Sequence, residues 1–148
     1  MATERITEMK TADKEEIISA IKEKYPNTTI FLTEIPYNGF YAYRPQEMKD
    51  VKSAAKQVEE FIEDEINKQG GSASIDKMKE DDKNKFIRKL DLDASEISTN
   101  VTLSLCVVYP FDFKKKLNEG SVPAGIGPTL LQKIVEVSGW GDITVDEI

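Results

Sequence analysis

The sequence predicts an α+β fold, a mostly helical small domain carrying an N-terminal β-hairpin. Three observations carry this prediction. Two β-branched and aromatic runs flank Asn38-Gly39, the strongest short-range signal for a hairpin. Apolar residues recur at steps of three and four from Val51 to Ile66, as one face of a long helix requires. A second such stripe, Leu130, Leu131, Ile134 and Val137, follows Pro128 and stops before Gly139. The 148 residues suit a single domain over 1–148.

The elements follow in order. Residues 1–10 read as a mobile end. Thr11 can cap a helix whose first turns hold Asp13, Glu15 and Glu16 and whose apolar side holds Ile17, Ile18 and Ile21. Pro26 ends it. Thr28–Ile35 and Phe40–Arg44 are the two strands, with the turn at Asn38-Gly39 or shifted by a residue or two. Pro45 stops the second strand, and Gln46–Lys68 is the clearest helix in the chain, ended by Gly70-Gly71. Residues 69–85 are rich in Gly, Ser, Lys and Asp and read as a flexible loop. For residues 95–109 the residues alone leave two assignments open. Val101, Leu103, Leu105, Val107 and Val108 suit a strand, whereas Ile97, Val101, Leu105 and Val108 suit a helical stripe. Pro110 closes either one. A short helix over Phe111–Asn118 comes next, then the helix from Pro128 to Val137, and residues 141–148 read as a second mobile end.

Composition excludes whole classes of chemistry. Histidine is absent, which removes Ser-His-Asp and Cys-His nucleophile systems and the histidine-bearing zinc sites. The one cysteine, Cys106, forms no intramolecular disulfide and supplies no thiolate cage; its apolar run makes it a buried structural thiol. No catalytic residue, cofactor or metal is expected. Gly125-Ile126-Gly127-Pro128 lacks the Lys-Ser/Thr pair of a phosphate loop, and Pro128 removes an amide, so it reads as a tight interhelical turn. Glu59, Glu60, Glu63, Asp64 and Glu65 lack the spacing of a calcium loop and read as a solvated helix face, as do Asp81-Asp82, Asp91, Asp93 and the tail carboxylates. With 27 acidic against 20 basic residues the net charge is −7, which disfavours nucleic acid. No apolar run has the length of a membrane span, so no membrane partner is expected. What remains is a protein that binds other proteins. The aromatic hairpin, with Phe31, Phe40, Tyr41 and Tyr43, offers a surface for it by strand addition or as an apolar patch.

Two stretches carry a resemblance. The first is Phe40-Tyr41-Ala42-Tyr43-Arg44-Pro45 before a long helix. The second is Cys106-Val107-Val108-Tyr109-Pro110, then Pro123-Ala124-Gly125-Ile126, then Leu130 to Trp140 ending in Ser138-Gly139-Trp140. Together they resemble a family of small baseplate or tail assembly proteins and chaperones from contractile-tailed bacteriophages. The resemblance runs in order over roughly half the chain. It departs at Gln46, where a leucine is common in that family, and at the Gly-rich stretch near residue 70. The resemblance implies helix over 95–109. It also implies a non-enzymatic assembly chaperone that binds other phage tail or baseplate proteins in the host cytoplasm. Tyr41, Tyr43, Arg44, Ile126 and Trp140 are its candidate contact residues. The alternatives are a permanent subunit of the virion baseplate and a small acidic regulatory protein binding a host factor.

Overall fold

The computed structural model describes residues 14–139, so the expected ends at 1–10 and 141–148, the Thr11 cap and Trp140 lie outside the described residues. The fold is mostly helical with a small three-stranded sheet, the α+β class that the sequence predicts. The chain divides into two compact units, one formed by the residues up to Pro45 together with those from Cys106 onward, the other by Gln46–Leu105.

The first unit begins with α1 (residues 14–24), then β1 (Phe31–Ile35) and β2 (Gly39–Tyr43). It resumes with β3 (Val107–Tyr109), α5 (Phe113–Asn118) and α6 (Ile126–Val137). The sheet is antiparallel in the order β1-β2-β3. Phe31 lies opposite Tyr43, Leu32 opposite Ala42 and Thr33 opposite Tyr41. Successive strand residues point to opposite faces. Ala42 therefore faces one way, packing with Val108 and Ile21 while Ile17, Tyr25, Ile30 and Leu32 close around them. The other face carries Tyr41 and Tyr43. Tyr41 meets Phe113 of α5 edge to face, with ring centroids 6.1 Å apart. Tyr43 lies within the electrostatic reach of Glu136 on α6. Helices thus cover both faces, α1 on one and α5 with α6 on the other. Ile126, Leu130 and Ile134 stand four residues apart on α6, and all three are buried. Cys106 is fully buried, in keeping with a structural thiol.

The corner of the hairpin lies two residues earlier than Asn38-Gly39 suggests. Ile35 pairs with Gly39, and Asn38 N–H donates to Ile35 O at 2.9 Å, so Pro36 and Tyr37 form the corner. Proline at the first corner position presets a type I or type II turn, and in type II the second corner position requires a positive φ. That position is Tyr37, at φ +68°. Gly39, at φ +86°, absorbs the return into β2 without a Cβ penalty.

In the second unit α2 (Met48–Lys68) and α4 (Glu80–Cys106) face each other, with α3 (Ser72–Asp76) between them in sequence. The last residue of α4, Cys106, already belongs to the first unit. Phe61 of α2 and Phe86 and Leu90 of α4 line a cavity of about 70 Å³. Glu47 caps α2 in a reciprocal box: its own N–H donates to the buried Asp50 carboxylate at 2.8 Å. Asp50→Ala leaves that donor without its acceptor. It should cost roughly 1–2 kcal/mol, read as a lower midpoint of the helical signal on heating, whereas Asp50→Asn keeps an acceptor and most of the stability.

Two helices stand where residues 69–85 read as a loop. Gly70 and Gly71, at φ +95° and +96°, turn the chain out of α2. Ile75, the one buried apolar side chain of α3, anchors that short helix, and α4 begins at Glu80 with three acidic residues in its first turn. For 95–109 the helix implied by the resemblance runs to Cys106, and the last three residues become β3.

Candidate protein-binding site

The residues singled out from sequence divide sharply by position. Tyr41, Tyr43 and Ile126 are buried, so their side chains build the core of the first unit and present no contact surface. The reason is the two-sided cover of the sheet: α5 and α6 take the face on which both tyrosines stand. Burial raises the pKa of both phenols above the usual value. The positive charge of Lys116 partly offsets this for Tyr41, and the negative charge of Glu136 adds to it for Tyr43. Arg44 is half-buried. Its N–H donates to Cys106 O at 2.9 Å and its Nη1 to Pro45 O at 3.0 Å, which ties the exit of β2 to the end of α4. The structure therefore brings Tyr41 and Tyr43 together on one face of β2, with Arg44 directly after the strand.

The exposed aromatic groups of this unit are different residues. Tyr37 is 100% exposed at the tip of the hairpin. Phe31, at 37%, stacks on Tyr43 with centroids 6.1 Å apart. Phe111, at 47%, lies edge to face with Tyr109, ring centroids 5.3 Å apart, and has the ammonium of Lys24 4.6 Å from its centroid. The same ammonium lies 5.7 Å from the Tyr25 ring. Beside β1, a mostly apolar groove of about 130 Å³ runs between that strand and α1, lined by Ile18, Ile21, Lys22, Tyr25, Thr28, Ile30 and Leu32.

Tyr37 is the exposed aromatic residue that sequence reasoning passed over. The available signal was Pro36, which suits the first corner position of a turn and would put Tyr37 at the second. A tyrosine in the left-handed region costs about 1–2 kcal/mol, and burial returns nothing here because the ring is wholly in solvent.

The acidic clusters of α2 and α4 remain on or near the surface, and among the described residues no group of three or more Cys, Asp or Glu side chains is placed to hold a metal ion. Nor is any helix among them long and apolar enough to cross a membrane. The arrangement offers contact area, backbone edge and aromatic tips, which are the means of protein recognition. Comparison with protein families, with characterised proteins and with solved structures gives no match.

Proposed function

We propose that this protein is a phage tail or baseplate assembly protein, an assembly chaperone that binds other tail proteins through the hairpin side of its first unit. The observation that carries protein binding is Tyr37. A strained backbone position persists where surrounding structure or function demands it, and such positions cluster at binding and catalytic sites. Tyrosine is also among the residues that dominate protein interfaces. The tail-assembly part of the reading rests on the ordered resemblance. The order of elements supports it, with β2 ending in Tyr43-Arg44-Pro45 before a long helix and α4 ending at Cys106 ahead of Tyr109-Pro110. The acidic net charge keeps a complex with sticky assembly partners soluble.

Tyr37→Gly separates binding from folding. Glycine relieves the positive φ but loses more freedom on folding, so stability should hold or rise by up to about 1 kcal/mol. Capture of co-expressed tail proteins should fall by roughly tenfold or more, the loss usual for a truncated interface tyrosine. Unchanged capture removes Tyr37 from the interface. Mass spectrometry of purified particles beside an infected-cell lysate decides the biology. A chaperone is abundant in the lysate and absent from particles, whereas stoichiometric presence in particles makes it a baseplate subunit.

A further inference from the structure

α2 carries its exposed charges in two blocks. Lys52 and Lys56 stand in its first half, Glu59 and Glu63 in its second. All four are exposed and follow at steps of three and four, so they form one stripe along the helix. Within a single helix that order is unfavourable, because each block sets like charges four residues apart. Among the described residues none of these four side chains makes an ion pair. The pairs that α2 does form lie at its ends, Lys49 with Glu47 and Lys68 with Glu65.

Beside the charged stripe runs an apolar one. Val51, Ala55, Val58, Ile62 and Ile66 follow at the same steps; Ala55 is exposed and the other four are half-buried. The fully buried residues of α2, Asp50 and Ala54, both lie in its first two turns. From Ala55 onward the apolar side of the helix is therefore incompletely covered.

Both stripes are complementary to themselves when the helix is reversed. A two-fold axis beside Val58, at the middle of α2, sets Lys52 of one copy against Glu63 of another, and Lys56 against Glu59. The same axis sets the small Ala55 against the large Ile62 and Val51 against Ile66, with Val58 meeting its own copy. Two patterns that share no residue thus agree on one axis to within a residue. A parallel pair would stack lysine on lysine and glutamate on glutamate, and opposite charges beside an apolar seam are what set the partner and orientation of paired helices. A foreign partner requires no such match of the helix to itself.

We infer that α2 is a self-association surface, on which a second copy of this chain packs antiparallel through Ala55, Val58 and Ile62, with Lys52 and Lys56 of each copy facing Glu63 and Glu59 of the other. The inference concerns the second unit and does not depend on the hairpin of the first. One pair of helices about 30 Å long makes a small interface. The dimer therefore exchanges with monomer, and its charges govern partner choice and register.

The test is sedimentation equilibrium of the full chain over a wide range of concentration and salt, with helical circular dichroism to show that each variant folds. The expected result is a monomer–dimer equilibrium that weakens as salt rises. Lys52→Glu/Lys56→Glu makes the stripe wholly acidic, and Glu59→Lys/Glu63→Lys makes it wholly basic. All four positions are exposed, so the fold should hold. Each variant alone should dimerise more weakly by roughly tenfold or more. Mixed in equal amounts, the two should recover a heterodimer at least as tight as the unaltered dimer, which a damaged fold could not do. A chain that stays monomeric at the highest concentration reached overturns the inference and leaves the stripe to a different protein. A dimer that neither exchange weakens also overturns it, since the contact then lies elsewhere or runs parallel. So does a mixture of the two variants that stays monomeric.

Discussion

Phe113→Ala is expected to lower the stability of the first unit by about 3–5 kcal/mol, the largest effect of any single truncation proposed here. Phe113 is 2% exposed and is the bulkiest fully buried side chain among the described residues. It is also the first residue of α5, fixed there by its N–H donating to Pro110 O at 3.0 Å. Its ring meets Tyr41 at an interplanar angle of 84°, a favourable edge-to-face geometry. Removing it deletes the transfer energy of a large apolar group and leaves a void between α5 and β2 that stiff strands cannot collapse into. Small domains hold only about 5–15 kcal/mol in total, so the variant should sit near its unfolding midpoint at 37 °C. Urea titration followed by the near-ultraviolet tyrosine signal reads this unit. Phe113→Leu retains apolar bulk without the ring edge and should lose a smaller share. A loss below about 1 kcal/mol for the alanine variant would mean that α5 is not part of the cooperative core.

The unequal legibility of this chain in its sequence has physical causes. α2 and α6 announce themselves because each turns one apolar stripe inward, and the period survives to the last turn: Val51, Ala54, Val58, Phe61 and Ile62 in one, buried at Ala54 and half-buried elsewhere, and the buried Ile126, Leu130 and Ile134 in the other. β3 is hidden for the opposite reason. Val108 continues the stripe of Val101 and Leu105, and no residue that breaks a helix intervenes before Pro110, so only the pairing of Tyr43 with Val107 turns the chain into strand. α3 is concealed by its brevity, since one buried residue, Ile75, shows no period. The candidate contacts Tyr41, Tyr43 and Ile126 were chosen as aromatic or turn residues. Their burial depends on helices that return to the sheet from more than sixty residues away, which no local pattern reports. Tyr37 shows the converse. Its identity is ordinary and its position in the turn gives it meaning, and that position hinges on a two-residue shift of the hairpin corner.

Raising the pH should unfold the first unit through the same sheet face, and the direction follows from Tyr41 and Tyr43. Both phenols are buried, and burial opposes the phenolate, so the folded chain holds these protons more tightly than the unfolded chain. Their contribution is complete below the ordinary value of about 10 and is lost as pH rises through the higher folded values. Above pH 10 stability should fall by up to about 1.4 kcal/mol per pH unit for each tyrosine. Tyr41→Phe and Tyr43→Phe, which keep the rings, should each flatten that slope, and the double variant should withstand a distinctly higher pH. Absorbance at 295 nm, which records tyrosinate, and circular dichroism should change together at the transition. Two surface substitutions sharpen the argument because they carry opposite signs. Glu136→Gln removes the negative charge that adds to the Tyr43 shift, so the alkaline midpoint should move up. Lys116→Met removes the positive charge that tempers the Tyr41 shift, so the midpoint should move down. Opposite shifts tie the transition to the charges above these two rings. Shifts of the same sign, or none, would assign the alkaline loss to groups other than this face of the sheet.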